Sequence, residues 1–302
     1  MYNGKTPVLI VVGGATASGK TALAIEYAKY FNTEIISFDS RQVYKELNIG
    51  VAKPTDEQLN LVKHHFINHC SVFDEFNAGI FETKALAILN KLYKKHKVVI
   101  AVGGTGLYIK TLCNGLDKLP LADYELRKKL KNELELYGVE HIYQILQKAD
   151  PLGYKQIDSK NPHRIIRAIE LVKNTGKSLS EIKTSVKNKR NFKILNVTID
   201  IAREKLYENI NQRTEIMIAQ GLEQECRNLY HLKNLKALQT VGYTEIFEYF
   251  DGKYNLSQAI EKIKQHTRNY AKRQITWFKN QQDNISHIDF DVEKLKNHIT
   301  AD

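Results

Sequence analysis

The residues best suited to chemistry lie near the start of the chain, in Gly14-Ala15-Thr16-Ala17-Ser18-Gly19-Lys20-Thr21. Their spacing is G-x-x-x-x-G-K-[ST], in which the glycines let backbone N–H groups turn inward on a polyphosphate. A helix beginning at the end of the loop adds the positive end of its dipole. Lys20 would place a point charge on the outer phosphate, and the Thr21 hydroxyl can ligate Mg²⁺. Asp39 is the second candidate, a carboxylate able to take a proton, to hold Mg²⁺ through water, or to cap a helix starting near Gln42. The third is another glycine loop, Gly103-Gly104-Thr105-Gly106-Leu107-Tyr108. Its glycines would let a ligand or second substrate approach the backbone, with Thr105 as a neutral hydrogen-bonding group. A motor or signalling NTPase would carry an acidic residue here to hold the metal and organise water. Its absence argues against ATP hydrolysis as the purpose.

These residues need particular elements to position them. Residues 8–12, Val-Leu-Ile-Val-Val, read as a buried strand leading into the phosphate loop, and 21–29 carry apolar residues at helical spacing. A second short strand over 34–38 would deliver Asp39 to its C-terminal end, and a third over 98–102 would end in the second glycine loop. Ligands of an open α/β sheet gather outside the carboxyl ends of its strands, so all three candidates share one edge. Between them, residues 78–95 read as a helix with Phe81, Ala85, Ile88, Leu89 and Leu92 on one side. From about residue 116 the texture turns helical. Leu126, Leu130, Leu134 and Tyr137 share a face and Gly138 reads as a stop. Asn161-Pro162 caps a helix that ends at 174–176, with Arg164 and Arg167 on one side of it. Residues 177–193 read as a mobile return, and 194–200 as a strand rejoining the sheet. The expected organisation is thus an α/β core from 1–115 and 193–302, with 116–192 inserted as a helical unit.

Composition bounds the partners. The 302 residues are 42% hydrophobic and 26% charged, an ordinary globular balance with length for a sizeable core. A net charge of +11 fits a polyanionic partner or a basic solvated surface. Cys70, Cys113 and Cys226 are odd in number and far apart, so no disulfide framework is expected, and a reduced cytoplasm fits. No stretch approaches a membrane span or a signal segment. His64, His65 and His69 lack a Cys or carboxylate to complete a metal set. Residues 203–221 read as a long helix with Arg213 midway, placed to clamp a leaving phosphate if it packs beside the loop. Between Lys262 and Lys279 stand six Lys or Arg residues and no acid. Ile263, Tyr270 and Trp277 recur every seven as an apolar face, read as core. Lys264, Arg268 and Lys272 recur every four. A solvated face would normally mix signs, so the stripe reads as a nucleic-acid backbone contact.

Taken in order, these motifs resemble the tRNA dimethylallyltransferases, also called tRNA isopentenyltransferases. The resemblance rests on the phosphate loop, Asp39-Ser40-Arg41-Gln42-Val43-Tyr44, Ile49-Gly50-Val51-Ala52-Lys53-Pro54, the second glycine loop, Arg164-Ile165-Ile166-Arg167-Ala168, Val241-Gly242-Tyr243 and Tyr270-Ala271-Lys272-Arg273-Gln274-Ile275-Thr276-Trp277-Phe278. Ala15 stands where the family usually has Pro, and Asn68 where Asp is common.

The resemblance implies a P-loop NTPase-like parallel sheet with a helical insertion and a helical C-terminal region. It implies transfer of a dimethylallyl group from its diphosphate to N6 of the adenosine 3′-adjacent to the anticodon in tRNA. Gly14, Ala15, Thr16, Ala17, Ser18, Gly19, Lys20 and Thr21 would hold the diphosphate, with Mg²⁺ at Thr21. Asp39 would be the general base, Thr105 would orient the amine, and Arg213 would stabilise the leaving group. The tRNA anticodon stem-loop would meet Asp39, Ser40, Arg41, Gln42, Thr105, Arg127, His163, Arg164, Ile165, Ile166, Arg167, Lys264, Arg268, Lys272 and Arg273. The protein would act as a monomer without an obligate protein partner. Two other readings of the residues stand beside this one: a P-loop small-molecule kinase, and a non-catalytic RNA-binding nucleotide switch.

Overall fold

A computed structural model of the protein describes residues 6–116, 119–120, 123–182, 189–280 and 295. It divides into two units, one made of 1–113 with 190–302 and the other of 114–189. In chain order the strands are β1 (Val8–Gly13), β2 (Ile35–Ser37), β3 (His64–His65), β4 (Val98–Gly103) and β5 (Lys193–Thr198). The helices are α1 (Lys20–Tyr30), α2 (Asp56–Leu61), α3 (Ala78–Leu92), α4 (Gly106–Asn114), α5 (Tyr124–Ala149), α6 (Pro162–Thr175), α7 (Leu179–Ile182), α8 (Arg203–Ala219), α9 (Leu222–Leu229), α10 (Tyr243–Phe250) and α11 (Leu256–Lys279). Among the described residues, none of these helices is long and apolar enough to cross a membrane.

All five strands are parallel, in the order β3-β2-β4-β1-β5. Every residue of β1 and β4 is buried. Such strands need apolar side chains on both faces, which explains their unbroken Val/Ile character. Alternation along them divides the core. Leu9, Val11, Val99 and Ala101 face the layer that holds α3, α4, α10 and α11, whereas Val8, Ile10, Val12, Val98 and Ile100 pack with α1. The register pairs Gly13 with Gly103 and with Thr198, so the loops after β1, β4 and β5 leave the sheet at one level.

No helix forms near Gln42. The chain there makes a turn, with Asp39 Oδ1 accepting from the backbone N–H groups of Arg41 at 2.8 Å and Gln42 at 3.2 Å. The glycines of the second loop serve packing, and Gly103 and Gly104 also line a cavity. A Cβ on Gly104 would lie 2.1 Å from Gln274 Nε2, one on Gly106 2.3 Å from the Trp277 ring, and one on Gly103 2.6 Å from Phe38. The room they leave is filled by the protein's own side chains, so close packing of α11 on the sheet needs them.

The second unit has its own core of Leu130, Ile142, Leu146, Ile165, Ile166, Ala168 and Ile169, formed by α5 and α6. Gly138 kinks α5 at φ 81° and ψ 177°, and the helix resumes to Ala149. Asn161 caps α6 through its side chain to Arg164 N, with Pro162 at the first position. Residues 183–188 of the expected mobile return lie outside the described residues; before them the chain forms α7.

Two of the expected tRNA contacts in this unit are redirected by one carboxylate. Glu170 is fully buried, and Arg127 grips it with two hydrogen bonds of 2.5 and 2.6 Å. Arg167 adds a third at 3.1 Å and donates to the Pro120 carbonyl at 2.8 Å. Arg127 and Arg167 are therefore committed to an internal ion network, and Ile165 with its neighbour Ile166 is core rather than contact surface. His163 and Arg164 remain exposed. Glu170→Gln removes the charge that both guanidiniums neutralise. It is expected to lower stability by about 3 kcal/mol, the low end for a broken buried pair because the arginines can re-hydrate. An unchanged thermal midpoint would show that they do so fully.

Candidate active site

The phosphate loop is shaped by backbone conformations its sequence permits. Gly14 (φ 142°) and Gly19 (φ 91°) take left-handed geometry, and small Ala17 (φ 62°) joins them. The loop is then gripped from the side of the C-terminal helices. Thr16 N donates to Gln274 Oε1 at 2.8 Å, while Gln274 Nε2 donates to the Gly104 carbonyl at 2.9 Å, so one buried amide ties both glycine loops together. Asn209 Nδ2 donates to the Ala17 carbonyl at 3.1 Å. Ala15 is buried against Leu206, Ile210 and Ala271. Arg213 Nη1 donates to Thr16 Oγ1 at 3.0 Å, which places its guanidinium on the loop as its helix position allowed.

Two cavities meet here. The first, about 270 Å³, is lined by the phosphate loop with Lys20 and Thr21, by Ser37, Asp39 and His64, and by Arg213. The second, about 580 Å³, runs from the Asp39–Arg41 turn past Thr240 and Glu245 to His266 and Arg273. Six residues belong to both walls: Thr16, Asp39, Val51, Ala52, Arg213 and Tyr270.

The electrostatics of the first cavity favour an anion. The Lys20 amine, hydrogen-bonded to the Ala15 carbonyl, is pushed down to about 8 by burial and by Arg213, with Asp39 pulling it back. Burial also lowers the Arg213 guanidinium, against the pull of Asp39. Two cations held together out of water carry a cost that a bound polyanion relieves. Both hydrogen bonds that Asp39 accepts fall on Oδ1, which leaves Oδ2 toward other chemistry.

The turn behind Asp39 is fixed from several directions. Thr105 Oγ1 accepts from Ser40 N at 3.1 Å and donates to Ser40 Oγ at 3.3 Å. Its hydroxyl also meets that of Tyr270. Thr105 therefore braces the turn that carries Asp39. Arg41 donates to the carbonyls of Lys236, Ala237 and Gln239, and Gln42 Nε2 to those of Val51 and Ala52. These two side chains build the walls of the site rather than reaching out from it. The wall at 49–52 is held from its far side by Glu225, which accepts from Ile49 N at 2.8 Å, from Gly50 N at 3.0 Å and from the Tyr243 hydroxyl. Gly50 is required there, since a Cβ would lie 2.5 Å from the Tyr243 ring.

Two members of the basic stripe of α11, Lys264 and Arg268, are half-buried against α8, whereas Lys272 is exposed. Lys264 pairs with Glu215 and with Glu261, both at 2.6 Å. Arg268 Nη1 donates to Asn211 Oδ1 at 2.9 Å, and Lys272 is hydrogen-bonded to the Tyr207 hydroxyl. Tyr207, Asn211 and Glu215 recur every four residues along α8 in the opposite direction, so the stripe is one side of an antiparallel helix ladder. This corrects the reading of Lys264 and Arg268 as free nucleic-acid contacts and leaves Lys272 exposed. Arg273, off the ladder, is exposed on the second cavity.

Asn209 and Glu225 were not singled out by sequence reasoning, and Tyr270 and Gln274, although within the motif at 270–278, were given no role in the site. Tyr270 sat among residues spaced as core, and the others carry polar groups whose partners are distant in the chain. A buried polar residue on an otherwise apolar helix face was the available signal for Gln274.

Comparison with known proteins agrees with this geometry. Residues 42–281 match the family model described as IPP transferase. A tRNA dimethylallyltransferase of Cytophaga hutchinsonii is 49% identical over 270 residues, 89% of each chain. That of Christiangramia forsetii is 47% identical over 289 residues, 96% of this chain and 95% of the other. Among solved structures, the tRNA isopentenylpyrophosphate transferase of Bacillus halodurans superposes with a TM-score of 0.70 at 32% identity, covering 98% of this chain and 96% of that one. A eukaryotic dimethylallyltransferase acting on tRNA gives a TM-score of 0.77 at 28% identity, covering 98% and 77%. With a phosphate loop, a shared cavity edge and relatives matched nearly end to end, the chain belongs to the IPP transferase family of tRNA dimethylallyltransferases.

Proposed function

We propose that this protein transfers a dimethylallyl group from dimethylallyl diphosphate to N6 of the adenosine 3′-adjacent to the anticodon in tRNA, releasing diphosphate. The observation that carries the reading is a single cavity lined together by the phosphate loop with Lys20, by Arg213 and by Asp39. As the allylic carbon–oxygen bond breaks, its electron pair passes to the diphosphate. Loop N–H groups, Lys20 and Arg213 would stabilise that charge. The N6 lone pair forms the new bond, and Asp39 takes the amine proton. An adenine stacked in an anticodon loop must be extruded to reach this depth, and the second cavity offers the room.

Mg²⁺ suits the donors present. Thr21, Ser37 and Asp39 are hard oxygen donors on the first cavity, and no group of three or more His, Cys, Asp or Glu residues forms a metal cage among the described residues. Mg²⁺ commonly keeps its waters and bridges substrate phosphates. Thr21 would hold it, and when bound it supplies further charge neutralisation on the diphosphate. Of the basic residues expected at the tRNA, His163, Arg164, Lys272 and Arg273 are exposed and would meet its phosphates, with the protein acting as a monomer in the cytoplasm.

The test is incubation with undermodified tRNA, Mg²⁺ and dimethylallyl diphosphate, followed by nucleoside mass analysis. Prenylated adenosine at the position after the anticodon is expected. Its absence, or phosphate transfer from ATP to a metabolite, would overturn the proposal.

A further inference from the structure

The proposed reaction needs more than a holder for the leaving group. Breaking the allylic carbon–oxygen bond ahead of full bond formation builds positive charge on the dimethylallyl carbons. The groups that welcome the diphosphate are hostile to that charge, since Lys20 and Arg213 are both cations on the same cavity. A carboxylate or a water beside the carbon would stabilise it but could also capture it. An aromatic face offers negative potential without a nucleophilic lone pair in reach.

One aromatic residue occupies that position. Of the six residues common to both cavities, Tyr270 alone has a ring. The carbon must pass between the phosphate loop on one side and the adenine amine on the other, and that passage is the wall these residues share. The ring is firmly placed, because its neighbours Ala271 and Gln274 are buried and Gln274 is bonded to both glycine loops. Its hydroxyl is hydrogen-bonded to Thr105, away from the role of free nucleophile, and burial with the nearby Asp39 charge pushes the phenol up to about 12, so it stays protonated. Arg273 already stands over the ring at 5.8 Å, so the ring is one that a cation approaches in this fold.

We propose that Tyr270 is a catalytic residue whose ring face stabilises the allylic positive charge in flight between diphosphate and adenine. This rests on the prenyl-transfer reading above. The balance is unchanged: the carbon–oxygen bond breaks with its pair on the diphosphate, the carbon–nitrogen bond forms from the N6 pair, and the proton goes to Asp39. Tyr270 exchanges neither electrons nor protons.

The test separates ring electronics from ring shape. Tyr270→Phe, a series of progressively fluorinated phenylalanines at 270, and Tyr270→Leu are compared by single-turnover transfer, with tRNA affinity, diphosphate affinity and thermal midpoint measured in parallel. Phe should keep the rate within about threefold, and Leu should lose roughly 30-fold or more, as expected for a desolvated cation over a ring. The rate should fall stepwise with fluorination while both affinities and the midpoint stay level. A flat fluorine series beside an active wild type overturns the role of Tyr270 alone. A wild type that forms no prenylated adenosine overturns the underlying reaction as well.

Discussion

Asp39→Asn is expected to slow dimethylallyl transfer by roughly 10³-fold, within the range for removal of a general base, while tRNA affinity changes little. Asn is the informative substitution because of what Asp39 does structurally. Its Oδ1 accepts from Arg41 N and Gln42 N, and an amide oxygen can still accept both. The turn that carries Ser40, Arg41 and Gln42 should therefore survive, and with it the carbonyl contacts through which Arg41 and Gln42 hold the cavity walls. What Asn lacks is an oxygen that can take a proton. Asp39→Ala would release both N–H groups, so its loss of rate would mix chemistry with collapse of the turn. Single-turnover rates, tRNA affinity and thermal midpoint measured on both variants resolve the two. If Asn transfers at the wild-type rate, Asp39 is a capping residue only. If tRNA affinity falls as far as the rate, its role lies in binding.

Loss of the Arg213 guanidinium should have the second largest effect. Arg213→Ala is expected to reduce kcat and kcat/KM together by about 10²- to 10³-fold, the cost of losing one donor aimed at developing charge. Arg213 donates to Thr16 within the phosphate loop and lines both cavities, which places its guanidinium within the proposed diphosphate site. A Lys at this position keeps the charge without the planar fork and should recover only part of the loss. The free enzyme should be no less stable for the change. Burial and the neighbouring Lys20 make two adjacent cations costly when no anion is present, and removing one relieves the other. A variant that loses activity and also melts well below wild type would mean that the Thr16 contact, not the charge, is what matters.

How much of this was legible in the chain depended on how local the cause was. The strand, loop and helix around residues 14–21 follow from β-branched residues, glycines and a good helix former in sequence, and the structure has them at Val8–Gly13 and Lys20–Tyr30. The cap and stop of α6 at Asn161, Pro162 and Gly176 were equally local and are found as read. Charge was the least legible property. For Arg127, Arg268 and Lys272 no neighbouring acid explains the role, and the acids three residues from Arg167 and Lys264, Glu170 and Glu261, account for only part of it. Each is claimed by a partner distant in sequence or on a neighbouring helix: Glu170, Pro120, Glu215, Asn211 or Tyr207.

The amino-acid order by itself determined that a phosphate loop forms, that Asp39 arrives on the same sheet edge, and that an insertion interrupts the core. Those features come from backbone propensity, glycine freedom and hydrophobic period, which act over a few residues. Only the tertiary structure decided which side chains face the reacting groups. It set Arg213 and Tyr270 into the walls of two cavities, paired Lys264 and Arg268 of α11 with α8, and filled the space over Gly104 with Gln274. The reason is that a side chain's partners are fixed by helix packing across long sequence separations, which periodicity along one helix does not encode.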